Sequence, residues 1–122
     1  MTKTKEDEVR EERISMEVVV DAYGEEERML GWYYYLHDKM QFPFKATCIA
    51  VRRNSPLTKG EKVKVVGMPP EEDCEGEMLV DIQWEKRTLA VPLSQLEGID
   101  VDDETQEAIE DWHYWVDMGY EF

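Results

Sequence analysis

The sequence predicts an α+β fold, a small SH3-like β-barrel of four to five strands flanked by two N-terminal helices and one C-terminal helix. Two observations carry this. The apolar period changes from helical to strand-like at Phe44 and returns to helical near Asp103, and the segments between are short and broken by Gly, Pro, Asn or charge clusters. Short strands with no obvious edge protection are best accommodated by a sheet that curls into a barrel. At 122 residues the chain suits a single domain, 1–122, with residues 1–8 expected to fray. Its 42% hydrophobic content supports a buried core despite 35% charged residues.

Taken in order, Met16, Val19, Val20 and Tyr23 recur at helical spacing before Gly24, which predicts a first helix from Val9 to about Tyr23. Glu25, Glu26 and Glu27 suit the positive end of a second helix, whose stripe is Met29, Tyr33, Leu36 and Met40 and which must stop before Pro43. The strands follow as FKATCIAVRR, EKVKVVGM, EMLVDIQW and RTLAVPL. In EMLVDIQW, Met78, Val80, Ile82 and Trp84 alternate with Leu79, Asp81 and Gln83, as in a half-buried antiparallel strand. PLSQLEGI reads as a single helical turn closing the barrel. In the tail Asp103 is placed to cap a helix, Gln106 stands at its third position, and Ile109, Trp112 and Val116 form the buried stripe up to Gly119.

Charge narrows the function classes. Against 29 acids stand 14 bases, a formal charge of -15 that repels nucleic-acid phosphate and anionic membranes, so neither is expected as a partner. Cations or a basic protein are the natural partners. No apolar run reaches the ~20 residues that span a bilayer, and the first residues lack the apolar stretch of a signal peptide, so a cytoplasmic monomer is expected. Cys48 and Cys74 lack metal or redox spacing and read as free thiols, with the acids around Cys74 disfavouring its thiolate. No nucleophile elbow, phosphate-cradling glycine loop or HExxH motif is present, and no enzyme is expected.

Three groups of acids are candidate metal ligands. The stretch PPEEDCEGE places Glu71, Glu72, Asp73, Glu75 and Glu77 within seven positions without a Lys or Arg, with two prolines at its entry and Gly76 at its exit. Calcium takes six to eight oxygens and tolerates irregular loops, so the chemistry fits; on the charge run alone a solvated barrel loop is the favoured reading. The run DVDDETQEAIED matches the EF-hand loop at Asp100 and Asp102. It fails where Glu104 replaces a shorter ligand, Thr105 the turn glycine and Asp111 the terminal glutamate. Asp100, Asp102 and Asp103 are therefore read either as a weaker exposed site or as a capped helix start. Asp38, in WYYYLHDKM, is an acid at the negative end of a helix, a position that a metal or the neighbouring Lys39 would neutralise. His37 and His113 have no zinc companion at a telling spacing, and the aromatic run Trp32–Tyr35 with Trp112, Tyr114, Trp115 and Tyr120 reads as helix packing before it reads as a peptide groove.

The strings DAYGEEERMLGWYYYLHDKMQFPFKATCIAV, PPEEDCEGEM, IQWEKRTLAVPLSQLE and DDETQEAIEDWHYWVDMGYEF resemble the small calcium-binding protein family described from cyanobacteria. The resemblance covers nearly the whole chain. It implies a soluble, acidic, non-EF-hand bacterial protein that binds calcium at one stronger and one weaker site, serves calcium signalling or buffering, and uses Asp38 in the stronger site. The leading reading joins Asp38 to acids of the 71–77 loop around one calcium ion. The alternative is an acidic interaction module that holds a basic protein independently of calcium, and a third, a metal-assisted hydrolase, would require a deep pocket.

Overall fold

The computed structural model describes residues 7–53 and 55–122, so the fraying expected of residues 1–8 lies outside the described residues for 1–6. Asp7 caps the first helix, α1 (Glu8–Arg13), accepting the Arg10 N–H on Oδ1 at 3.0 Å. A π-helical turn, Ile14–Val18, follows and the helical run stops at Val19, short of the predicted Tyr23. The predicted stripe is also corrected: Met16, Val20 and Tyr23 are exposed, and Ile14 and Val18 are the buried residues. The π turn takes more residues per turn than an α-helix, which rotates the face presented to the core. The turn also lies against Gly31, where a Cβ would sit 2.2 Å from the Val18 carbonyl oxygen. Only glycine admits that approach.

Helix α2 (Glu25–Lys39) starts and stops where expected, with three glutamates in its first turn and Met40 leaving the helix in an extended conformation. It buries Met29, Trp32, Tyr33, Tyr35 and Leu36. The sheet comprises β1 (Phe44–Cys48), β2 (Lys62–Gly67), β3 (Leu79–Trp84), β4 (Arg87–Pro92) and β5 (Leu96–Ile99), all antiparallel, in the order β4-β3-β2-β1-β5. PLSQLEGI thus holds a helical turn only at Leu93–Gln95, and its second half is the fifth strand, paired with β1. The edge strands β4 and β5 would stand about 19 Å apart in a flat five-stranded sheet. A single 3-10 turn of three residues joins them, and such a turn advances only about 6 Å. The sheet must therefore curl strongly, the feature on which the SH3-like expectation depends. Met78, Val80 and Ile82 are fully buried as predicted, while Trp84 is half-buried.

Helix α3 (Asp103–Asp117) is capped by Asp102, one residue before the predicted cap. Ile109 and Trp112 face the core as expected, whereas Val116 is exposed and Asp111 is fully buried in its place. The helices meet around Trp32, whose ring lies 5.1 Å from Trp112, 5.4 Å from Trp115 and 5.9 Å from Tyr35 between centroids. Such tilted and edge contacts add to the burial of the rings themselves.

Asp111 sits where α1, α2 and α3 converge. Arg13 grips it with two donors, Nε to Oδ2 at 3.0 Å and Nη2 to Oδ1 at 2.6 Å, and the Tyr35 hydroxyl donates to Oδ2 at 2.7 Å. Burial, and next the hydrogen bond to Asp111, push the Tyr35 hydroxyl far above its ordinary pKa; the same carboxylate raises Arg13. A fully buried carboxylate is tolerable only with its partners in place, because the desolvation penalty otherwise stands uncompensated. Asp111→Ala leaves the Tyr35 hydroxyl unpaired and the Arg13 guanidinium with only its longer contact to Glu107, and urea unfolding is expected to show a loss of about 3–5 kcal/mol. Gly31→Ala forces Val18 off α2 and is expected to lower stability by about 1–3 kcal/mol in the same assay.

Candidate metal centre

Three consecutive tyrosines leave α2 about 100° apart and tie it to three different partners. Tyr33 donates to the Pro69 carbonyl at 2.6 Å, Tyr34 to Glu71 Oε2 at 2.6 Å, and Tyr35 to Asp111. The first two dock the acidic loop onto the helix. Within the loop Glu71–Cys74 form a 3-10 turn, and Cys74 is fully buried, its Sγ accepting the Leu79 N–H at 3.5 Å. The Cys74 thiol is pushed up chiefly by burial, with Asp73 and Asp81 adding to it, so it stays protonated and plugs the loop into the core. The loop backbone is thereby held while Glu72, Asp73 and Glu75 stay exposed.

Asp38 is exposed, one turn after Tyr34 on the same face of α2. It borders an open hollow of about 550 Å³ together with Glu17, Tyr34, Lys39 and Glu104. Its nearest acidic company thus includes the π turn and the first turn of α3, which sequence spacing gave no reason to associate with it. Glu71 is half-buried and engaged with Tyr34. Glu72, Asp73 and Glu75 are exposed, and Glu75 faces Glu25 and Glu26 across a second hollow. Glu77 is already neutralised: Arg52 Nη2 lies 2.8 and 3.1 Å from its two oxygens while Nη1 donates to Ser94 Oγ at 3.0 Å.

Of the second group, Asp100 is exposed at a φ of 51°, and Asp103 is exposed in the first turn of α3. Asp102 is occupied as a cap. Its Oδ1 accepts the Thr105 hydroxyl and its carbonyl accepts the Gln106 N–H at 2.9 Å, and the Thr105 bond lowers its pKa. Thr105 Oγ1 in turn accepts the Gln41 N–H at 2.9 Å, bringing the start of α3 to the end of α2, the helix that carries Asp38.

Asp81, an outward residue of β3 that sequence alternation left as a plain polar position, belongs with the candidates. It is half-buried, and burial followed by the charge of Asp73 pushes its carboxyl up. The Tyr33 hydroxyl is raised by burial first and then by Cys74, Glu71, Asp81 and Glu72. These acids therefore share one field, a crowding that a cation relieves. Among the described residues no group of three or more His, Cys, Asp or Glu side chains is already gathered to hold a metal. The donors on offer are carboxylate oxygens and a tyrosine hydroxyl, hard ligands that suit calcium, with the lone thiol turned into the core.

A family profile described as calcium binding, CcbP, matches residues 12–116. The chain is similar at 43% identity over 100% of both chains, with a TM-score of 0.87, to the crystal structure of Anabaena CcbP. It is likewise similar, at 42% identity over 100% of both chains and a TM-score of 0.86, to a calcium binding protein in its calcium-binding form. A search of curated proteins returns no match.

Because the folded-state pKa of Asp81 is raised, its contribution to stability is fully present below the ordinary carboxylate range and is lost as pH rises through the folded pKa. Asp81→Asn is therefore expected to raise the melting temperature at pH 7 in chelator, and the gain is expected to vanish near pH 3.5; scanning calorimetry at the two pH values checks it.

Proposed function

The chain belongs to the calcium-binding CcbP family, and from that premise we propose that it holds calcium through carboxylates brought from separate elements and buffers or senses the ion in the cytoplasm. The observation that carries this reading is the Tyr34–Glu71 hydrogen bond. It ties the acidic loop to Tyr34, one turn before Asp38, and so supports a site in which carboxylates of α2 and of the loop turn toward one ion. Calcium accepts such a noncontiguous, adaptable set because its coordination number and geometry are permissive. Glu71 leads the loop's contribution, with Glu72, Asp73 and Glu75 unengaged and Asp81 beside them. Glu77 joins only by releasing Arg52. The start of α3, with Asp100, Asp102 and Asp103, supplies the weaker site, Asp102 being partly committed to Thr105.

A second reading has its own observation. Glu25, Glu75 and Glu121 line a hollow of about 350 Å³ beside Trp115 and Tyr120. Carboxylates next to ring faces suit a lysine or arginine side chain of a basic partner, through ion pairing and cation–π attraction. Salt-sensitive retention of such a partner in chelator distinguishes it from calcium binding.

Calorimetric titration of chelator-stripped protein is expected to give calcium heat and a rise in melting temperature that magnesium does not reproduce at equal concentration. Absence of both in millimolar calcium overturns the proposal. Asp38→Asn is expected to weaken the tightest site roughly tenfold or more, since affinity follows ligand charge; an unchanged affinity removes Asp38 from the site and leaves the binding function standing.

A further inference from the structure

The sheet carries a feature at odds with the rest of this acidic chain. Across four strands the register places Ile99, Lys45, Lys64 and Gln83 directly side by side. Lys45 and Lys64 are cross-strand partners, an arrangement of like charges that destabilises a sheet. No carboxylate stands in that row. In the next row Lys62 opposes Thr47, and Glu97 stands one strand further on. Among the described residues none of the three lysines makes an ion pair, although the chain has 29 acids from which to supply a partner. The lysines border an open groove of about 560 Å³ whose other walls include Pro43, Phe44 and Ile99.

We propose that this groove is a docking site for an acidic peptide segment of a partner protein, one whose carboxylates alternate with apolar side chains. Charge complementarity selects the carboxylates: an anion set between Lys45 and Lys64 relieves their repulsion as it binds. The apolar wall selects a peptide over a free anion, because a phosphate ion leaves the exposed Pro43 and the half-buried Ile99 uncovered. A polynucleotide is disfavoured by the -15 charge of the whole molecule, which a short peptide meets only locally. Four strands span about 14 Å, the length of about four extended residues, so a short segment suffices.

The inference is independent of calcium and is tested in chelator. The probe is a fluorescein-labelled decapeptide of Glu and Asp punctuated by Leu, followed by anisotropy at low salt, with the amide version containing Gln and Asn as control. Wild-type protein is expected to bind the acidic peptide and not the amide version, with affinity falling as salt rises. The double variant Lys45→Gln/Lys64→Gln is expected to bind roughly tenfold more weakly, and Lys59→Gln, on the loop between β1 and β2, to bind as wild type. Amide chemical-shift mapping on wild-type protein is expected to report Lys45, Lys64, Gln83 and Ile99, and does not depend on the variants folding. No binding at millimolar peptide, undiminished binding by the double variant, or an equal loss in Lys59→Gln overturns the proposal. So does a thymidine oligonucleotide or inorganic phosphate that binds as tightly as the peptide.

Discussion

The rotation of α2 about its own axis is fixed by a buried charge. Asp111 has no access to water, and its two oxygens are held by the Arg13 fork and the Tyr35 hydroxyl. A pair of this kind adds little net energy over a well-packed apolar replacement, but once built it admits almost no other geometry. With Tyr35 pinned inward, helical geometry aims Tyr34 and Tyr33 at the acidic loop. The loop is then caught by Glu71 and by the Pro69 carbonyl, and from below by Cys74. The placement of every acid between Glu71 and Glu77 relative to Asp38 is therefore downstream of one carboxylate nearly forty residues along the chain.

The same arrangement divides rigidity from freedom in a way that suits a hard cation. Loop backbone is held by two tyrosines and a buried thiol, while most of its carboxylates remain on rotatable stems. Under the calcium reading, capture is then a matter of side-chain rotation on a prepared platform. Two internal groups occupy carboxylates of the loop. Tyr34 holds Glu71 through a neutral donor, and Arg52 holds Glu77 through a charged one. The first releases readily; the second is a built-in counter-ion that narrows the set of acids an incoming ion meets at its ordinary strength.

Much of the architecture was legible in the residue pattern. Helices α2 and α3 and four of the strands have strong periodicity with glycine, proline or charge at their ends, and the family resemblance followed from the aromatic and acidic strings. What escaped has a common cause. The π turn, the half of PLSQLEGI that is β5, and the burial of Asp111 in place of Val116 are all decided by partners distant in sequence. Val18 needs Gly31, Leu96 needs Cys48, and Asp111 needs Arg13. For the candidate site the limit is sharper, since composition identifies the acids but not their directions. Nothing in PPEEDCEGE says that Glu77 answers to Arg52 or that the charge of Asp73 is felt at Asp81.

Helix α1 has no buried residue of its own, and at six residues it is far too short to persist alone. Its hold on the molecule is through α3: Arg13 on Asp111, the Asp7 N–H on the Tyr114 hydroxyl, and Glu11 receiving the hydroxyls of Tyr114 and Tyr120. These contacts span about a hundred positions of chain, so α1 itself gains its tertiary partners only when α3 is in place. The buried carboxylate is thus set only when α1 and α3 have met, and the aim of α2 toward the acidic loop becomes final with that long-range closure.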